Sequence, residues 1–188
     1  MLKSSYYKKI NNILIDLLTK IPEPRTQTIK ADIDDLIRNA SLKSAALSGA
    51  LSLPAGLLAA ATLLPDIVAV WKIQARLVAD IAQVNNKHHL LTRETLLYCL
   101  FGAGQSASED LVVRIGERFV VRRSSQKIFD GMLGKIGLRI GRNLLGERIS
   151  RWIPFIGAAL ISRYSYKDTE KVGKAAEELF SSSIDIEN

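Results

Sequence analysis

The chain has 188 residues, with 26 Lys/Arg against 19 Asp/Glu for a net charge of +7 and a pI of about 9.6. At 47% hydrophobic and 24% charged it can bury a sizeable core as one domain, and it lacks the composition of a polytopic membrane protein. One cysteine, Cys99, excludes an internal disulfide framework and suits a reducing compartment or a buried thiol.

Residues 1–24 read as an amphipathic N-terminal helix followed by a proline-containing link. Tyr6 to Lys20 places Ile10, Ile13, Leu14, Leu17 and Leu18 on one face, and Pro22 and Pro24 stop the helix. The stretch is studded with lysine and has no compact apolar core before a cleavage site, so a cytoplasmic location is expected. Thr26 or Thr28 can cap the next helix, whose positive end suits Asp32, Asp34 and Asp35, and which runs toward Gly49.

From Ser44 to Trp71 Asp66 is the only ionisable residue. Such a run reaches the length of a membrane span, about 20 residues, but Gly49, Pro54, Gly56 and Pro65 interrupt it. The expectation is a proline-broken apolar helical hairpin, with Pro54–Leu63 as a short helix and Pro65–Val84 as a longer one. Asn85 to His89 form a polar loop, with the adjacent His88 and His89 diverging and hydrated. Leu90 to Phe101 makes a helix with Thr92 as its N-cap.

Ser106 or Ser108, followed by Glu109 and Asp110, marks the start of a further helix over Leu111–Phe129, with Leu111, Ile115 and Phe119 roughly on one side. Gly131, Gly134, Gly137 and Gly141 then recur at steps of three or four. At about 1 kcal/mol per helical glycine, close helix packing explains them. A last helix covers Pro154 to Phe180, and residues 181–188 fray. No stretch shows sustained alternation, so the fold class expected is all-α: a single-domain helical bundle, 1–188, with the broken hairpin at its centre.

Catalytic signatures are missing: there is no Gly-x-Ser-x-Gly elbow, phosphate loop, zinc spacing or His-Glu-x-x-His, and Gly102-Ala103-Gly104 lacks a third glycine. No enzyme activity, cofactor or metal is expected. Two groups of residues stand out instead. Between Leu111 and Arg151 ten Lys/Arg face only Glu117, Asp130 and Glu147, which accounts for the whole net charge. Arg114, Arg118, Arg122, Arg123, Lys127, Lys135, Arg139 and Arg142 are the candidate lipid- or phosphate-binding cations, although a solvated helical face explains them equally well. The second group is the apolar hairpin with its polar lining: Pro54, Gly56, Pro65, Asp66, Trp71, Gln74, Arg76 and Asp80. Arg76 and Asp80 can pair along the helix, and capping and internal ion pairs compete with a ligand groove as their role.

Leu53-Pro54-Ala55-Gly56, Leu64-Pro65-Asp66-Ile67-Val68-Ala69-Val70-Trp71, Ile73-Gln74-Ala75 and Leu77-Val78-Ala79-Asp80-Ile81-Ala82 resemble the central signature of the EcsC family. Ile153-Pro154-Phe155-Ile156-Gly157-Ala158, Asp168-Thr169, Val172-Gly173-Lys174-Ala175-Ala176 and Phe180 are similar to its C-terminal signature. The likeness covers about a third of the chain; Ser162-Arg163-Tyr164 stands where the family often has Asn. It implies a bacterial, helical, membrane-related domain whose family takes its name from a protein encoded beside an ABC transporter, and it brings no catalytic residues.

The function expected is a non-enzymatic, membrane-associated protein on the inner face of the membrane, binding anionic lipid or a lipid-like ligand through the basic region and the apolar hairpin. A soluble oligomeric interaction module or transporter-associated regulator is one alternative, with a homo-oligomer or membrane-protein partner. A membrane-permeabilising toxin or defence effector is another. Nucleic acid is a poor fit, because Phe119, Phe129 and Trp152 lie too far apart to form a stacking platform.

Overall fold

The computed structural model describes residues 2–26, 29, 31–51, 59–102, 111–145 and 157–187. Among them the chain is mostly helical (71%), with six α-helices: α1 (Leu2–Thr19), α2 (Ile33–Leu51), α3 (Ala59–Val84), α4 (Arg93–Phe101), α5 (Gln126–Leu145) and α6 (Gly157–Ser181). Three strands accompany them, β1 (Val112–Ile115), β2 (Arg118–Arg122) and β3 (Ser183–Glu187), in the order β1-β2-β3. The architecture is therefore α+β rather than the pure all-α bundle expected.

Two segments account for that correction. Val112 to Arg122 is rich in β-branched residues on both sides of Gly116-Glu117, with Phe119 on the second, and it folds into an antiparallel hairpin in which Gly116 takes φ 65°. Its spacing also fits a helix, but a glycine turn between two β-prone runs favours the hairpin. At the other end, Ser183-Ile184-Asp185-Ile186-Glu187 does not fray. It pairs parallel with β2, setting Ile184 and Ile186 opposite Phe119 and Val121 on the core side. Alternation over five residues is what a half-buried strand requires.

The apolar faces of all nine elements meet in one cluster. α3 lies inside it: Val70, Trp71, Gln74, Ala75, Leu77, Val78, Ala79, Asp80, Ile81 and Ala82 are all buried. The expected break at Pro65 is absent, because α3 begins at Ala59 and runs through it. A proline there removes one N–H from the helical ladder without ending the helix, and packing of the buried residues downstream holds it in place. α3 ends as a Schellman turn, with Asn86 at φ 56° and Lys87 N–H donating to the Ala82 carbonyl over 2.8 Å. Pro54, Gly56 and the expected helix start there lie outside the described residues, as do Ser106, Ser108, Arg148, Arg151 and Pro154. α2 begins at Ile33, well past Thr26, and has Asp34 and Asp35 in its first turn. Thr92 caps α4 as expected, accepting from the Thr95 N–H.

α2 and α6 cross in opposite directions at close range. Ser48 and Ser165 share a 2.8 Å hydrogen bond, Gly49 lies against Ser162, and Gly173 lies against Ile37. Ser41 and Ser44 extend the serine row along α2; both are fully buried, with hydroxyls that find no partner. The α5 glycines serve a similar purpose in part. Gly137 presses on Asn11 and Ile10 of α1, but a Cβ at Gly131 would meet open space.

Candidate functional site

The described side chains of α3 singled out above, Trp71, Gln74, Arg76 and Asp80, do not line one groove; they point three ways. Gln74, buried, donates to Asp168 Oδ2 (2.9 Å) and Thr169 Oγ1 (3.2 Å) on α6, while its own Oε1 has no partner. Trp71 stacks edge-on against Phe101, with centroids 5.4 Å apart. It also lines a cleft of about 210 Å³ with Val68, Lys72, Asn12, Ile13, Asp16 and Leu17, between α1 and α3.

Asp80 and Arg76 turn toward the link after α1. Arg25 donates from Nε and Nη2 to the two oxygens of Asp80 (2.9 and 2.6 Å), and Arg76 Nε adds a third bond at 2.9 Å. The intrahelical pair is present as expected, but Arg25 completes the arrangement. The hydrogen bonds to Asp80, and then its charge, raise the Arg25 pKa above its ordinary value against a small opposing effect of burial. Gln83 grips the Arg25 backbone at both N–H and C=O, Arg76 Nη1 donates to the Glu23 carbonyl, and His88 Nε2 donates to that of Pro22 over 3.1 Å. His88 is thus part of a fastening rather than a hydrated loop. Its signal in the sequence is slight: a stiff Pro-Glu-Pro-Arg link with no partner of its own. Pro65 and Asp66 have helical backbone in α3 and are not described further.

Arg93 and Glu94 form a second buried hub, which the sequence did not single out. Arg93 bonds Glu94, Gln126 and the Ser124 carbonyl, and its guanidinium lies 4.5 Å from the centroid of the Phe129 ring. Ser124 gives both N–H and hydroxyl to Glu94. Burial opposes the Glu94 charge, yet the bonds from Arg93, its own backbone and Ser124 outweigh it and lower the pKa. A lowered carboxylate pKa stabilises the fold above the unfolded-state value, and that stability disappears as pH falls through the folded-state value. Glu94→Gln should therefore flatten the acid limb of a urea-midpoint profile measured below neutral pH. An unchanged limb would remove Glu94 from the account. Cys99 is buried and free, with its thiol pKa pushed up by that burial, as suits an inert core residue.

The candidate cations divide into two sets. Arg114 pairs with Glu178 of α6, Arg118 with Asp185 (3.2 Å) and Arg122 with Glu187 (3.4 Å) of β3. Arg123, Lys127 and Lys135 are exposed and have no ion-pair partner among the described residues. Arg139 and Arg142 belong to α5 and are not described further. At about 100° per residue, positions 127, 128, 131, 135, 138, 139 and 142 fall on one arc of about 120°. On the opposite side Phe129, Leu133 and Ile136 enter the core.

Among the described residues no helix is long and apolar enough to cross a membrane, and no three His, Cys, Asp or Glu are grouped to hold a metal ion. Compared with family models, curated proteins and solved structures, the chain finds no match.

Proposed function

We propose that this protein is a non-enzymatic module that docks peripherally on anionic membrane surfaces through the outer face of α5. The observation that carries this reading is the pairing of unneutralised cations, Lys127 and Lys135, with two exposed apolar side chains on the same arc, Ile128 (55% exposed) and Leu138 (48%). Cations attract a lipid surface and apolar groups beside them can enter its boundary layer, which is how interfacial helices bind. Membership of the EcsC family is part of the proposal. It is supported by the meeting of the two stretches that carry the resemblance, where Gln74 bonds Asp168 and Thr169.

Each Lys or Arg at such a surface adds about 1 kcal/mol, so Lys127→Gln with Lys135→Gln should weaken binding to phosphatidylglycerol-containing vesicles roughly tenfold or more. Co-sedimentation at rising salt measures this. Absence of wild-type binding at low salt would exclude the reading.

An interaction module is the second reading, favoured by Leu160 (60% exposed) and Tyr164 (71%), one turn apart on α6. A monodisperse oligomer that Leu160→Lys dissociates, and that ignores lipid, would decide for it.

A further inference from the structure

We propose that β3 acts as an internal acidic mask, its carboxylates occupying Arg118 and Arg122 in place of lipid phosphate; this rests on the docking reading above. Arg118 and Arg122 are exposed on the sheet face opposite Phe119 and Val121, on either side of the buried Val120. Parallel pairing brings the exposed positions of β3, Ser183, Asp185 and Glu187, to the same side. Arg118 Nη1 donates to Asp185 Oδ2 and Arg122 Nε to Glu187 Oε2, and near the sheet Arg114 meets Glu178. All three arginines come from the hairpin, and all three carboxylates come from the C-terminal end of α6 and the strand after it. The neighbouring Arg123, Lys127 and Lys135 have no such counter-charge among the described residues.

The mask is of a replaceable kind. Both β3 pairs are more than half exposed, and neither is a short bidentate contact. Exposed pairs of that geometry are weak and screened by salt, whereas a guanidinium fork fits a phosphate as well as a carboxylate. The acids can be exchanged for lipid phosphate without unzipping the strand, which is held by its backbone pairing to β2 and by Ile184 and Ile186 against the core. The protein would thus hold two arginines in reserve and engage them only where the density of anionic lipid outcompetes its own strand.

The test compares wild type with Asp185→Asn/Glu187→Gln in flotation with vesicles of phosphatidylcholine and phosphatidylglycerol across a salt series. Both amides keep the shape of the acids they replace, and circular dichroism monitors the fold. The mask predicts binding roughly tenfold tighter, with a steeper salt dependence. It also predicts that adding Arg118→Gln and Arg122→Gln cancels the gain. Binding by the double variant alone, with wild type silent even at low salt, would overturn the docking reading and the mask with it. Equal affinities in a wild type that binds would overturn the mask and leave the docking reading standing. A gain that persists without the two arginines would overturn it too, because those guanidiniums would not then be what the acids withhold. Binding by neither protein would overturn both.

Discussion

Gly173→Val should destabilise the protein by about 3 kcal/mol, the upper part of the range for overpacking a well-filled core. A Cβ at Gly173 would stand 2.6 Å from Ile37 Cγ1 and 3.1 Å from both Cγ2 and Cδ1. Three atoms of a buried, β-branched side chain surround that position, and Ile37 is too stiff at χ1 to swing clear. Relief therefore requires moving α2 from α6, and this pair also carries the Ser48–Ser165 bond and the buried hydroxyls of Ser41 and Ser44. Helix propensity cannot compensate, since valine gains less than the roughly 1 kcal/mol that alanine has over glycine. Urea denaturation measures the loss. Combining Gly173→Val with Ile37→Ala should recover about 1 kcal/mol or more relative to additivity, because the two side chains compete for one space. Additive behaviour would mean that the close approach is not what limits the site.

Asp80→Ala is the second large effect, expected at about 2 kcal/mol, or about 4–8 °C in Tm for a chain of this size. Asp80 is 5% exposed and receives three charge-assisted bonds, from Arg25 and Arg76. Removing a buried partner of an ion pair costs more than an exposed one, but Arg25 is half-exposed and can rehydrate, which limits the loss. Arg76 fares worse. Its Nη2 is already buried without a partner, and without Asp80 its bond to the Glu23 carbonyl remains. The link 22–25 should then loosen from α3, held only by Gln83, His88 and the Arg76 bond to Glu23 among the described residues, and become the preferred site of limited proteolysis. Asp80→Asn, which retains an acceptor, should fall between. Wild-type stability and protease resistance in Asp80→Ala would show that the link is fastened elsewhere.

Helix existence was written plainly in this chain and helix limits less so. The 3.6-residue pattern of Ile10, Leu14, Leu17 and Leu18 marks α1, and the apolar circumference of α3 announces its burial, because both signals are local. Proline is read badly by the same logic. Pro65 looks like a start, yet the cost of one missing hydrogen bond is small beside the packing of a helix enclosed on most sides. The hairpin was missed for a different reason. Leu111, Ile115 and Phe119 satisfy a helical period, but in the hairpin Ile115 stands exposed opposite Arg118 while Phe119 enters the core from the other face, and β3 pairs with β2 from more than 60 residues away. The glycine turn and the alternation of Ser183–Glu187 are local signals, but the pairing that joins them is long-range and lies outside any short window of sequence.

The candidate site divides along the same line. Composition made the chain basic, and the order of its residues pointed to a mostly helical chain without recognised catalytic spacing and with its charge concentrated between Leu111 and Arg151. Which of those cations remain available was decided only in three dimensions, where Glu178, Asp185 and Glu187 come to stand beside Arg114, Arg118 and Arg122. The same holds for Asp80, whose partner on α3 was visible four residues away but whose partner Arg25 is brought by the fold across 55 residues. A residue's charge is a property of the chain. Its field depends on neighbours within a few ångströms, and tertiary packing chooses those.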